Sequence, residues 1–315
     1  MILRKMPLHL APLSIVLAIA LVLSSCYSSK KLAPEAEATP VAPSLLWKIS
    51  GNGLDTPSYL YGTVHIIPEE LFFWPEGVEE ALNNTATITL ETDVSVRSSF
   101  KFLWYTLRGK LYMRNDTTLD MLVDSQSYRE IIQTFSQNNL KNKELILKMV
   151  NRLKPIFTSQ FLYMLEMDGE SRALSYEREL AKIAREFGFK LDKLERISEV
   201  LGILDSIPYR HQAKLLVESI RSSRDSTVVL YKLYRQQDIE GLHSLIIQEA
   251  DSKPFVHWLL HYRNRMWIPR MERQMRKGPV FFAVGAGHLA GKNGLIALLR
   301  KRGYSVTPMR KRVKF

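Results

Sequence analysis

Cysteine is almost absent: Cys26 is the only one among 315 residues. No intramolecular disulfide framework and no cysteine-based zinc cluster can form without more of them. Long apolar runs are missing too. Residues 13–23 form an apolar stretch interrupted by Ser14, shorter than the about 20 residues that cross a bilayer. Acid is scarce at one end. Residues 253–315 hold 15 Lys+Arg against Glu272 alone, +14 within a net charge of +12, so the rest of the chain sums to −2. What remains is ordinary: 46% hydrophobic and 24% charged residues are globular values, which exclude fibrous, collagenous and wholly disordered chains. At 36.4 kDa the chain suits one large domain or two ordinary ones.

A pI near 9.6 raises nucleic acid as a partner. The location of the charge argues against it. The excess lies in a helical stretch at 263–277, in Arg300-Lys301-Arg302, and in Arg310-Lys311-Arg312-Val313-Lys314, not on an aromatic-interleaved surface shaped for a groove. Such runs are solvated faces, or they attract anionic lipid.

The first 25 residues set the expected compartment. Arg4 and Lys5 precede the apolar stretch, which ends in Leu23-Ser24-Ser25-Cys26. That order resembles a bacterial lipobox, in which the thiol of Cys26 takes the lipid. It implies a signal peptide over residues 1–25 and a lipid-anchored chain in the bacterial cell envelope, on the periplasmic or outer-membrane side. Residues 26–44, rich in proline and serine, read as a flexible tether. The folded domain is expected over 45–315.

The domain begins with strand signals at residues 46–50 and 59–61, the second running into Gly62-Thr63-Val64-His65. A helical stretch at 75–82 precedes a β-branched strand at 86–90, which ends at Glu91-Thr92-Asp93. The far end repeats the plan. Residues 280–284 are an unbroken apolar run, as in a strand buried on both faces, and lead into Gly285-Ala286-Gly287-His288. A helix at 294–302 and a strand at 304–309 follow. The fold class is therefore α/β: a pseudo-symmetric β-sheet core with two strand–GxxH units from the chain ends and a large helical insertion at about 96–277. Within the insertion, helical spacing marks 127–135, 145–153, 173–187, 207–222, 228–235, 239–250 and 254–275. Residues 190–194 are expected to be a short strand.

Ligands in open α/β sheets bind beyond the carboxyl ends of strands, where both His65 and His288 fall. Glu91 follows His65 by 26 residues. Two imidazoles and a carboxylate make a donor set for Zn²⁺, Mn²⁺, Co²⁺ or Fe²⁺. Glu91 alone also reads as a solvated strand-end acid. His211, His243, His257 and His261 lie on expected helices, where packing or solvent is the simpler role. His257 and His261 share a helix face, but Trp258-Leu259-Leu260 between them lacks the glutamate of a zincin.

The stretches LLWKISGNGLDTPSYLYGTVHIIPEELFFWPEGVEEALNNTATITLETD and FFAVGAGHLAGKNGLIALLRKRGYSV resemble the TraB/GumN family. That family includes the Tiki metalloproteases and is related in fold to erythromycin esterase-like and ChaN-like proteins. The resemblance implies that His65, Glu91 and His288 are its signature residues and that Arg263-Asn264 is a further motif. It departs at Glu177-Arg178-Glu179-Leu180, where the family has a D-x-x-L turn, and at Leu194-Glu195-Arg196, where it has L-E-T. Tyr262 also stands where an acid is usual. These departures bear on substrate or cap contacts.

Two functions are expected from these residues. One is a membrane-anchored metal-dependent hydrolase, a peptidase acting on a peptide or protein substrate. In it His65 and His288 hold a divalent metal (Mn, Co or Zn), and Glu91 completes the site or acts as general base. Arg263 serves an oxyanion or a substrate carboxylate, Asn264 orients substrate or ligand, and Asp93 supports the shell. The alternative is a non-catalytic haem- or metal-binding surface lipoprotein.

Overall fold

A computed structural model describes residues 42–93, 105, 108–137, 142–168, 173–221, 225–249 and 253–309. Cys26, the expected signal peptide and almost all of the expected tether lie outside the described residues. Among these residues no helix is long and apolar enough to cross a membrane.

The architecture is α/β. Six strands form one mixed sheet in the order β6–β4–β7–β2–β1–β8: β1 (Leu46–Ser50), β2 (Ser58–Thr63), β4 (Thr87–Leu90), β6 (Lys190–Lys193), β7 (Val280–Gly285) and β8 (Ser305–Pro308). β2, β7, β4 and β6 run parallel, while β1 is antiparallel to both β2 and β8. The chain ends interleave. β7, from the far end, inserts between β2 and β4. Its Val-Phe-Phe-Ala-Val run is buried throughout, the expected signature of a central parallel strand. Thr63 pairs with Gly285, so the two GxxH motifs leave neighbouring strands side by side.

Three apolar clusters stabilise this arrangement. The largest packs the sheet against helices Val78–Asn83, Tyr176–Phe187, Arg263–Met275 and Leu295–Lys301. The other two lie among the helices that follow β4. Gly62 is required by packing there: a Cβ on it would lie 3.0 Å from the Leu289 side chain and 3.1 Å from Ala286. That close approach lets β2 pass beneath the second motif.

Two stretches differ from their periodicity. Residues 173–187 are not one helix: β5 (Ala173–Leu174) pairs with β3 (Ile67–Pro68), and the helix starts at Tyr176. Helical spacing continued through Ala173 because a two-residue bridge has no period of its own. Residues 254–275 are not one regular helix either. A short helix Lys253–Val256 leads into a π-helical turn His257–Tyr262 and then the helix Arg263–Met275. A wider turn rotates the face that follows, and such turns gather at functional sites.

Candidate active site

β2 delivers His65, β4 delivers Glu91 and β7 delivers His288 to the carboxyl-end edge of the sheet. All three are buried. They converge on Gly285, where the missing side chain leaves room. A Cβ there would sit 3.3 Å from Glu91 Oε1, 3.6 Å from His65 Nε2 and 3.6 Å from His288 Cδ2. The Gly285 N–H donates to Glu91 Oε1 at 2.7 Å.

Each imidazole is held from behind. His65 Nδ1 lies 2.8 Å from Glu177 Oε1, which also accepts from Thr63 Oγ1 at 2.8 Å. Ser175 Oγ donates to the other oxygen of Glu177. His288 Nδ1 lies 2.7 Å from Asn264 Oδ1, and the Asn264 amide donates to the carbonyls of His288 and Asn293. Carboxylate and carbonyl oxygens accept only, so each Nδ1 carries a proton and Nε2 is the coordinating nitrogen of each neutral ring.

Arg263 joins the set from the helix Arg263–Met275. Its Nη2 donates to Glu91 Oε2 at 2.5 Å and to Glu195, and its Nε donates to Glu195 at 3.0 Å. Its Nη1 donates to the Leu259 carbonyl and lies 3.3 Å from His288 Nε2. The guanidinium stacks over Trp267 at 4.7 Å, and Trp267 Nε1 donates to Glu195 at 3.1 Å. All five guanidinium N–H groups thus have internal partners.

The charges follow from this geometry. Burial opposes ionisation of Glu91, but Arg263, both histidines and the Gly285 N–H outweigh it and hold the carboxyl at about 2. Burial drives His288 down to about 3, helped by Arg263. His288 is therefore neutral, and its 3.8 Å approach to Glu91 is not an ion pair. Burial also pulls His65 down, but Glu177 more than reverses it and raises the group. Burial raises Glu195 against the pull of Arg263.

A divalent ion suits this donor chemistry. His65 Nε2 and the ionised Glu91 carboxylate face the gap at Gly285, and histidine ligands are held from behind in this way. His288 Nε2 lies against Arg263 Nη1 at 3.3 Å and would exchange that contact for an ion. Among the described residues no group of three or more His, Cys, Asp or Glu is preformed as a metal cage. Arg263 is the cation in contact with Glu91.

The structure therefore gathers His65, Glu91, His288, Arg263 and Asn264. Asp93 stands apart, with Oδ2 3.3 Å from Lys193 Nζ. His243 packs under the second motif, Nδ1 3.2 Å from the Gly287 carbonyl, whereas His257 is exposed. Sequence reasoning missed the roles of Glu177, Glu195 and Trp267. Glu177 stands where the family's D-x-x-L has its aspartate, so that departure touches the site, whereas Glu195 keeps the acid of L-E-T and the departure is at Arg196.

Residues 45–308 match the model of the TraB/PrgY/gumN family, and the chain belongs to that family. Metalloprotease TIKI1 of Danio rerio is 24% identical over 84% of this chain and 62% of its own length. Metalloprotease TIKI2 of the same fish is 23% identical over 84% of this chain and 60% of its own. A metalloprotease TIKI homolog of Amphimedon queenslandica is 19% identical over 84% and 61%. The chain thus spans about three fifths of the length of these relatives. No solved structure matches it.

Proposed function

We propose, from membership of the TraB/PrgY/gumN family, that this protein is a lipid-anchored, metal-dependent peptidase of the bacterial cell envelope. The observation that carries the reading is the convergence of His65 Nε2, Glu91 Oε1 and His288 on the gap at Gly285. The names of the relatives, all metalloproteases, support a peptide or protein substrate and a metal. The lipobox at Cys26 supports the anchor.

His65, His288 and Glu91 would hold the ion, which is manganese, cobalt or zinc by donor type. Bound there, such an ion would supply Lewis-acid activation of a water and of an amide carbonyl. The chain's own residues prepare the cleft. Glu177 and Asn264 fix both imidazoles with Nδ1 protonated, so that neither ring turns when a ligand binds. Arg263 pairs with both Glu91 and Glu195 and holds the Glu91 carboxylate in one orientation. With its donors committed, its role is positional, and stabilising an oxyanion requires exchange of one of these bonds. Gly285 keeps the approach open.

Elemental analysis of the purified chain beside His65→Ala and His288→Ala tests the reading. One divalent ion per chain is expected in the wild type, with loss of metal and of peptide hydrolysis in both variants. Equal metal content in all three proteins would remove the shared site.

A further inference from the structure

The flanks of the folded body emerge together, at the end of the sheet that carries the histidines. Leu46 pairs with Tyr61, and the Gly62 N–H donates to the Leu45 carbonyl at 2.8 Å. The body therefore starts four residues short of His65 in register, on the adjoining strand. On the other side Trp47 pairs with Pro308, and the Met309 N–H donates to the Leu46 carbonyl at 2.8 Å. Residues 46 and 309 thus lie about one strand spacing, ~5 Å, apart where the two flanks leave the sheet. Because β8 runs antiparallel to β1, both exits lie at the carboxyl end of β2 and β7. Ala42 and Pro43 are exposed.

The sequences that continue from these exits are suited to a membrane. Cys26 lies beyond one, with Lys30-Lys31 close to it; Arg310, Lys311, Arg312 and Lys314 lie beyond the other, in a stretch from 273 to 315 without an acid. Exposed Lys232 and Arg235 add charge at the same end, since Gln237 just beyond them accepts from the Leu45 N–H at 3.2 Å. Glu69, Glu70 and Glu76 also lie on this end and offset part of it.

Magnitudes decide what a lipid alone can do. The 17 residues between Cys26 and Ser44, taken as flexible chain, reach about 23 Å. A body of this size is about 48 Å across. A tether shorter than the body biases the end it leaves from toward the bilayer, and a polybasic segment at that end adds attraction to anionic lipid.

We infer that the lipid on Cys26 and the basic stretch 310–314 together turn the histidine end of the sheet toward an anionic bilayer, so that the substrate is a polypeptide presented at the membrane surface. The substrate clause rests on the peptidase reading, and the orientation on the lipid anchor alone.

The lipidated full chain is placed on phosphatidylcholine vesicles with and without phosphatidylglycerol. A donor dye is attached through Glu70→Cys, just beyond β2 at the histidine end, or through Thr56→Cys, in the turn before β2 at the other end. Acceptors are on the lipid headgroups. Energy transfer from position 70 is expected to exceed that from position 56 by about twofold on the anionic vesicles, and high salt should erase the difference. Replacing Arg310, Lys311, Arg312 and Lys314 with Gln should erase it as well. Equal transfer at the two positions, greater transfer at position 56, a difference that survives the Gln replacements, or failure of the wild type to associate with vesicles overturns the inference. A protein that orients as expected but hydrolyses no peptide instead sinks the peptidase reading and leaves the orientation standing.

Discussion

At the scale of the residue, the site depends on a side chain that is not there. Gly285 has φ −54° and ψ 134°, a conformation open to any residue, so its backbone does not require glycine. The cleft does. Gly285→Ala is expected to fold normally, with peptide hydrolysis falling about 100-fold, because its methyl group crowds Glu91 Oε1 and fills the gap beside His65. Unchanged activity together with a normal circular dichroism spectrum would show that the reacting groups do not meet there. The glycine was legible in the sequence because it opens a GxxH motif after an apolar strand. Glu177 and Glu195 were not. Each is an acid beside a helix start, where acids are common on electrostatic grounds, and only the tertiary structure brings them behind His65 and Arg263.

At the scale of the element, the insertion builds the site rather than merely covering it. The helix Tyr176–Phe187 carries Glu177, and the turn after β6 carries Glu195. That turn is fixed by Glu199. Its carboxylate reaches back to the Arg196 N–H at 2.7 Å and pairs with both terminal nitrogens of Arg270, at 2.7 and 3.1 Å. The Arg270 hydrogen bond is the leading cause of a lowered Glu199 pKa, below its ordinary value of 4.5. A depressed carboxylate stabilises the fold above its unfolded pKa, and that stability is lost as the pH falls through the folded value. Glu199→Ala is therefore expected to cost about 1 kcal/mol near neutral pH. The difference from wild type should shrink below about pH 4. Urea titrations at two pH values check this, and a difference that grows in acid would contradict it. The short strand at β6 was legible from its residues, whereas the π-helical turn before Arg263 was not. HWLLHY continues the apolar spacing of its neighbours, and one wider turn leaves no mark on a pattern read with an error of a residue.

At the scale of the whole molecule, the parallel centre of the sheet is assembled from sequence-distant parts. β7 lies between β2 and β4, so the sheet cannot close until the residues that follow the insertion arrive. Both chain ends were legible as strands, because their apolar runs and glycine exits are local signals. Their interleaving was not, since register between distant strands is set by packing. The three cores differ in how they join this sheet. The cluster that includes Leu119, Ile131, Phe135, Val150 and Leu216 is formed by helices away from the strands, whereas the largest cluster includes buried residues of β1, β2, β4, β7 and β8. Local stability follows such divisions. Hydrogen exchange followed by mass spectrometry should therefore show the helices Ser125–Gln137 and Lys143–Arg152 opening first. The strands β1, β2 and β7 should exchange last, and together, because β2 lies between the other two and its loss takes a neighbour from each. Uniform exchange across helices and strands would mean that the outlying core is not a separate unit. Early exchange in β7 would mean that the strand linking the two histidine motifs is not the centre of the fold.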